Sequence, residues 1–223
     1  MSSEYFNFSS SNFLMFTTYN NKKSDLHTFL SIIKNNQLNK KYISKVEQVH
    51  SNKVDYIKHP GFYPGLDGLI ARIESNLILV VKTADCIPLF IYDNIKGIYG
   101  IVHAGWKGIL KKIHLNAIEK FFNQNSNVKD INIIMGPSIK SCCFEVGDDL
   151  IKLFDNNFII NNNNKSFLDL NQCIISDLKK IGIKKIKTNK VCSYDNNNCH
   201  SYRRDKDQSG RMFSLITYKK CNI

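Results

Sequence analysis

Two apolar runs rich in β-branched and aromatic residues, 87–92 and 98–102, flank the turn-like segment Asp93-Asn94-Ile95-Lys96-Gly97. That pattern predicts a β-hairpin. With the turn centred near Ile95, the residues bounding the two runs, Cys86 and His103, stand almost opposite each other at the open end. Backbone pairing then preorganises two metal-ligand types. His50, closing Gln48-Val49-His50, follows another apolar pattern and can reach the same spot from a third strand, although nothing local requires it. Two histidines and one cysteine supply three ligands, and for zinc they leave a fourth tetrahedral position for water or substrate, as catalytic sites do.

The chain has 223 residues, 43% of them apolar. That is enough for a substantial core, and with no Pro/Gly/Ser-rich linker the chain reads as one domain over 1–223. No apolar stretch approaches the roughly 18–20 residues of a membrane span. Asn12-Phe13-Leu14-Met15-Phe16 is too short for a secretory signal. The expectation is a soluble, cytoplasmic protein that does not engage a membrane. Its seven cysteines, odd in number in a long chain, read as reduced thiols. A net charge of +12 raises the question of nucleic-acid binding, but the charge is dispersed. The densest run, Lys179-Lys180 through Lys184-Lys185, Lys187 and Lys190, interleaves with Ile181, Ile183 and Ile186, the pattern of a solvated helix face and a following strand. No nucleic-acid partner is expected. The asparagine runs 161–164 and 196–198 read as loop insertions.

Strands and helices alternate along the rest. After His103, the residues Trp106, Leu110, Ile113, Ala117 and Phe121 recur at helical steps. One helix is therefore predicted from near Gly105, with His114 on its polar, solvated side. His103 then precedes a helix N-terminus, whose amides and dipole favour an anion such as phosphate. Residues 131–135 read as a buried strand and 148–155 as a short helix. Leu170, Ile174, Leu178 and Ile181 mark another helix, capped by Gly182. Residues 212–218 form a closing strand. The mixed order favours an α+β domain with mixed β-sheets flanked by helices.

Six motifs follow one another along the chain: Gln48-Val49-His50, Asp67-Gly68-Leu69-Ile70, Thr83-Ala84-Asp85-Cys86-Ile87-Pro88, His103-Ala104-Gly105-Trp106-Lys107-Gly108, Gly136-Pro137-Ser138-Ile139 with Cys142-Cys143-Phe144-Glu145-Val146-Gly147, and Ser201-Tyr202-Arg203-Arg204-Asp205 with Gly210-Arg211-Met212. In this order, over about residues 46–216, they closely resemble the YfiH-like family, also called the laccase-domain or polyphenol-oxidase family. The resemblance implies a single α+β domain with zinc held by two histidines and a cysteine, here His50, Cys86 and His103. It implies purine nucleoside and phosphate as partners: phosphorolysis of adenosine, inosine and methylthioadenosine, with adenosine deamination alongside. Copper-dependent laccase chemistry is the less favoured alternative it carries.

In phosphorolysis, phosphate attacks the ribose anomeric carbon as the purine leaves, so the site must hold an anion. Arg203 or Arg204 suits, because a guanidinium meets phosphate oxygens bidentately. In deamination a carboxylate moves the proton of a metal-activated water, and Asp85 and Glu145 are the candidates. Tyr202 or Phe144 can stack on the base or simply pack. Plainer roles compete: Asp85 as a turn residue, the arginines as partners of Asp205 or Asp207, and Cys142 and Cys143 as small core residues rather than nucleophiles or extra ligands. One rival function is a metal-free hydrolase with Cys86 as nucleophile, His103 as base and His50 orienting it. Another is a copper oxidase, for which the sequence lacks further histidine-rich clusters. Two segments depart from the family pattern. Thr17-Thr18 is followed by Tyr19-Asn20-Asn21 in place of an arginine and a Gly-rich loop, which makes about 1–40 a divergent segment. Cys199-His200 stands where aromatic residues are usual, either reshaping the pocket or adding a ligand.

Overall fold

The computed structural model describes residues 5–20 and 25–219. In chain order its strands are β1 (Tyr5–Asn7), β2 (Phe13–Thr18), β3 (Ile43–Val46), β4 (Val54–Tyr56), β5 (Gly61–Tyr63), β6 (Gly68–Arg72), β7 (Ile78–Thr83), β8 (Ile87–Asp93), β9 (Ile98–Ala104), β10 (Ile131–Met135), β11 (Glu145–Val146), β12 (Ile159–Asn162), β13 (Lys165–Leu168), β14 (Lys185–Thr188) and β15 (Met212–Tyr218). Its α-helices are α1 (Asp25–Asn35), α2 (Trp106–Leu110), α3 (Ile113–Phe122), α4 (Asp148–Ile151), α5 (Leu170–Lys180) and α6 (Tyr202–Asp205). Two large sheets form, ordered β1-β2-β15-β7-β3-β5 and β14-β10-β8-β9-β6-β4, beside a small one, β11-β13-β12.

Strand alternation assembles four layers. On β7, Leu79 and Val81 face Leu69, Phe90, Tyr99 and Ile101 of the second sheet, while Ile78 and Val80 turn to Phe29, Ile32 and Ile33 of α1. The outer face of the second sheet, with Ile70, Leu89, Ile91 and Val102, packs on α2, α3 and α5. The result is a helix–sheet–sheet–helix sandwich of the α+β class, with mixed sheets flanked by helices as predicted. β8 and β9 are buried along their whole length, which is why they read as continuous apolar runs rather than alternating ones. Tyr99 is fully buried, and its hydroxyl donates to Leu77 O at 2.7 Å, so its polar tip is satisfied inside the core.

Several predicted elements appear. β8 and β9 form the antiparallel hairpin, each slightly longer than predicted, but the register differs from the expected one: Pro88 lies opposite His103 and Ile87 opposite Ala104, so Cys86 stands just before β8 and not across from His103. β10 and β15 cover residues 131–135 and 212–218. α5 ends in a Schellman motif: Ile183 N donates to Leu178 O, Gly182 N donates to Lys179 O, and Gly182 has φ +90°, a conformation that favours glycine. The basic run 179–190 is largely exposed, with Ile183 turned inward, as expected of a solvated face. The described cysteines are free thiols, and among the described residues no helix is long and apolar enough to cross a membrane.

Other expectations need correction. The single helix after Gly105 is two helices, broken where Lys112 adopts φ 62°. Asn52 Nδ2 donates to Lys111 O at 3.0 Å and Asn116 Nδ2 donates to Asn52 O at 2.9 Å, so side chains take over the main-chain bonds at the break. A Cβ on Gly108 would lie 2.9 Å from Ser51 O. The helix therefore breaks while packing closely against the loop that carries His50. His114 is fully buried rather than solvated, and its Nε2 is 2.9 Å from Asp177 of α5, because α5 covers that side of α3. The predicted helix 148–155 is only α4, since Asp155 instead accepts from Asn157 N at 2.9 Å to cap the next turn. The run 161–164 is not a loop insertion. Asn163 and Asn164, at φ 47° and 58°, turn the β12–β13 hairpin in the left-handed conformation that asparagine tolerates. Of the divergent segment 1–40, residues 1–4 and 21–24, Asn21 among them, lie outside the described residues, while Thr17 and Thr18 belong to β2.

Candidate active site

The three predicted ligands converge where the chain crosses between the two large sheets. His50 sits in the crossing from β3 to β4, Cys86 in the crossing from β7 to β8, and His103 near the end of β9. Their ligand atoms lie within 4.8 Å of one another, His50 Nε2 is 4.0 Å from Cys86 Sγ, and the two imidazole rings are 4.8 Å apart at 80°. His50 arrives on a loop, not on a third strand, and its φ is 58°. That loop is held to β7 by Gln48, whose side-chain Nε2 donates to Lys82 O at 2.6 Å and whose Oε1 accepts from Lys82 N at 2.8 Å. The side-chain amide thus completes the sheet edge in place of a main-chain peptide.

Asp67 orders the constellation from behind. Fully buried, it accepts from His50 N at 3.0 Å, and from Ser51 N and Oγ at 2.6 Å and 2.8 Å. Its Oδ1 is 2.8 Å from His103 Nδ1. This contact fixes the tautomer and aims Nε2 at Cys86 and His50, the arrangement by which carboxylates orient metal-bound histidines. A Cβ on Gly105 would lie 3.0 Å from both Cys86 Sγ and His50 Cδ2, so glycine keeps the space between the ligands open. Burial by itself would raise the Cys86 thiol, but the His103 charge and hydrogen bonds from both histidines outweigh it and bring the thiol down to about 6. Burial likewise opposes a charged His103, and the Cys86 thiolate together with Asp67 pushes it up to about 9. The donor set favours a thiolate ligand and suits a borderline metal.

A cleft of ≈ 570 Å³ opens over these ligands, with Lys82, Arg203, Lys206 and Arg211 among its lining side chains and Trp106, Phe144 and Tyr202 as its aromatic surfaces. Arg203 is preorganised: Nη1 donates to Glu145 O at 2.7 Å, and the guanidinium lies 5.0 Å from the centre of the Phe144 ring. Asp85, at φ 80°, lines the cleft, but both of its oxygens are engaged, accepting from Ser193 Oγ and from Arg203 N at 2.6 Å each. The Glu145 carboxylate turns away from the cleft to Lys165 at 2.8 Å. Arg204 does not line the cleft either; it pairs with Asp205 at 2.8 Å and donates to the carbonyls of Ser193, Tyr194 and Cys199, stapling its own loop. His200 adds no ligand, because its Nε2 pairs with Asp25 at 2.7 Å, and Cys199 is wholly buried. α2 is a five-residue helix, too short for much of the dipole expected after His103.

Asp67, Gly105 and Arg211 stand within the sequence motifs, and only the tertiary structure gives them roles at the cleft. An aspartate entering a buried strand was the available signal for Asp67, since a carboxylate there must find partners. The chain matches the family model described as multi-copper polyphenol oxidoreductase laccase over residues 7–219. It is 33% identical over 195 residues to a purine nucleoside phosphorylase of Clostridium acetobutylicum, covering 81% of this chain and 79% of that protein. It is 33% identical over 167 residues to an adenosine deaminase from an unknown prokaryotic organism, covering 70% and 63%. In three dimensions it is similar to YlmD from Geobacillus stearothermophilus, with a TM-score of 0.90 at 18% identity over 99% of this chain and 98% of that one, a likeness of fold. On the span of the family match and the identity to these relatives, the chain belongs to the YfiH-like, laccase-domain family.

Proposed function

We propose that this chain is a zinc-dependent purine nucleoside phosphorylase acting on adenosine, inosine and methylthioadenosine. The observation that carries the reading is the set His50, Cys86 and His103, oriented by Asp67, at the base of a cleft rimmed by four cationic side chains. The open cradle at Gly105 and His103 Nε2, which the Asp67 contact on Nδ1 turns toward Cys86 and His50, fit a metal ion. Two imidazoles and one thiolate suit zinc with one position to spare. When bound, zinc supplies a Lewis acid that stabilises negative charge on phosphate or on the leaving base. Arg203 binds phosphate, its guanidinium already oriented by Glu145 O and Phe144, while Lys82, Lys206 and Arg211 hold the dianion by their field. Tyr202, 47% exposed, offers its ring to the purine. Asp85 acts as a positioning group for the Arg203 backbone and Ser193 rather than as a proton carrier, and Glu145 contributes through its carbonyl. Phosphorolysis fits this cleft better than deamination, because its cations suit an anionic co-substrate and no predicted carboxylate is free beside the ligands.

The coupled Cys86 thiolate and His103 imidazolium also favour a thiol hydrolase as the second reading. Product analysis of the three nucleosides with metal-quantified protein, with and without phosphate, separates the cases. Free base and ribose 1-phosphate that require phosphate and bound zinc are the expected result. Inosine formed from adenosine without phosphate would make the chain a deaminase. Full activity of metal-free protein, abolished by alkylating Cys86, would make it a thiol enzyme.

A further inference from the structure

A second group of ligand-type side chains lies outside the cleft. Cys142 and Cys143, in the turn between β10 and β11, meet Cys192, which follows β14. Their sulfur atoms lie within 4.8 Å of one another, and those of Cys142 and Cys143 are 3.3 Å apart. Main-chain structure brings them together. Ser138 and Cys192 form a parallel bridge that extends the pairing of β10 with β14. Ser193 N donates to Ser138 O at 3.1 Å, and Cys143 N donates to Lys140 O at 2.9 Å. An open hollow of ≈ 530 Å³ borders Cys142 and Cys192, lined also by Lys140, Lys190 and Asp195.

We infer that Cys142, Cys143 and Cys192 form a second metal site, which takes a thiophilic d10 ion such as Zn²⁺ or Cu⁺ through three thiolates. Sulfurs at the ~2.3 Å bond length of a tetrahedral zinc thiolate stand roughly 3.8 Å apart, a spacing the present separations bracket. Three sulfurs without an imidazole select soft ions over Mg²⁺ or Ca²⁺. The Lys140 ammonium, which donates to Ser138 Oγ at 2.9 Å, offsets the net negative charge of three thiolates around one ion. Asp195 lines the hollow beside the cysteines; around zinc a water molecule would take the fourth position, whereas Cu⁺ needs no fourth ligand. The ion would tie the 138–143 turn to Ser193, whose hydroxyl holds Asp85 at 2.6 Å. The site lies outside the cleft and does not depend on the nucleoside reading.

The test is titration of the reduced full chain with Cd²⁺, following sulfur-to-metal charge transfer and bound metal together. Cys86→Ser removes the cleft thiolate, so its remaining absorbance reports the second site alone. That variant is expected to bind one equivalent with most of the wild-type band, and adding Cys142→Ser or Cys192→Ser is expected to remove most of what is left. Cys142 is exposed, so Cys142→Ser keeps the fold and guards against a folding artefact at buried Cys192. Competition with Zn²⁺ and with a Cu⁺ chelator pair then ranks the two ions. No uptake by Cys86→Ser, a band indifferent to Cys142→Ser, or a thiol count showing a disulfide among these cysteines under reductant overturns the inference.

Discussion

Among the described residues three histidines pair with carboxylates, and two of the pairs lie at nearly the same distance: His103 with Asp67 at 2.8 Å and His114 with Asp177 at 2.9 Å. Both imidazoles are buried, yet their proton affinities move in opposite directions. Burial opposes the charge on His103, but the Cys86 thiolate and Asp67 together raise it to about 9. Burial lowers His114, and Asp177 does not reverse this while the Lys112 charge adds to the lowering. The nitrogens differ as well. His103 spends Nδ1 on the carboxylate and turns Nε2 to the cleft, whereas His114 bonds through Nε2 and its buried Nδ1 finds no partner among the described residues. A buried His–Asp contact is therefore not in itself a functional signature; the third neighbour decides between ligand and strut.

Substitutions can break this contrast. His103→Ala should have the largest effect, removing bound metal and phosphorolysis together by more than the roughly 10–100-fold that loss of an outer partner costs; metal analysis and steady-state rates read it directly. Asp67→Asn should leave the triad in place but weaken metal affinity by about 10–100-fold, measured by chelator competition. Equal metal affinity in Asp67→Asn and wild type would mean that the carboxylate serves the fold and not the ligand. Asp177→Ala, on the other pair, should lower unfolding free energy by about 1–3 kcal/mol by stranding His114, with metal uptake at the cleft unchanged. The smallest effect concerns pH. The folded value of His114 lies below its ordinary one, so the unfolded chain takes up that proton first. The stability tied to neutral His114 is present above about pH 6.5 and is lost as the pH falls from there toward the folded value, by at most about 1.4 kcal/mol per unit. The denaturant midpoint of wild type should therefore fall as the pH drops below about 6.5 while that of His114→Gln lacks this component, and equal slopes for the two there would remove the assignment. His103 has the reverse sign: in metal-free protein its contribution is present below its ordinary value and is lost as the pH rises through about 9.

Local chemistry made part of this legible from the sequence. The hairpin β8–β9, the strands β10 and β15 and the Gly182 cap each follow from a few consecutive residues, so periodicity and turn chemistry sufficed. The break at Lys112 did not, because the side chain that takes the Lys111 carbonyl is Asn52, from a distant loop. His114 was misplaced for the same reason: its partner Asp177 belongs to another helix. Asn163-Asn164 is itself a local signal, an asparagine pair at a hairpin turn. At the cleft the ligand types and the neighbourhood of Cys86 and His103 could be read, whereas the loop approach of His50 depends on Gln48 mimicking a strand against Lys82. The arginine pair shows the limit most plainly. Arg203 and Arg204 are adjacent in sequence, yet one lines the cleft and the other staples a loop, a choice set by carbonyls at Glu145 and at Ser193, Tyr194 and Cys199.

The position of β15 bears on how the chain is made. It lies between β2 and β7 in the middle of the first sheet, and Thr17 bonds Ser214 across 197 residues. During synthesis, β2 on one side and β7 with β3 on the other must wait with open hydrogen-bonding edges until residues 212–218 leave the ribosome. Pairing over such separations is slow, and unpaired edges invite association with other nascent chains. A ribosome stalled before Met212 would therefore hold a sheet split down its centre, a target for chaperones or proteases rather than a shortened enzyme.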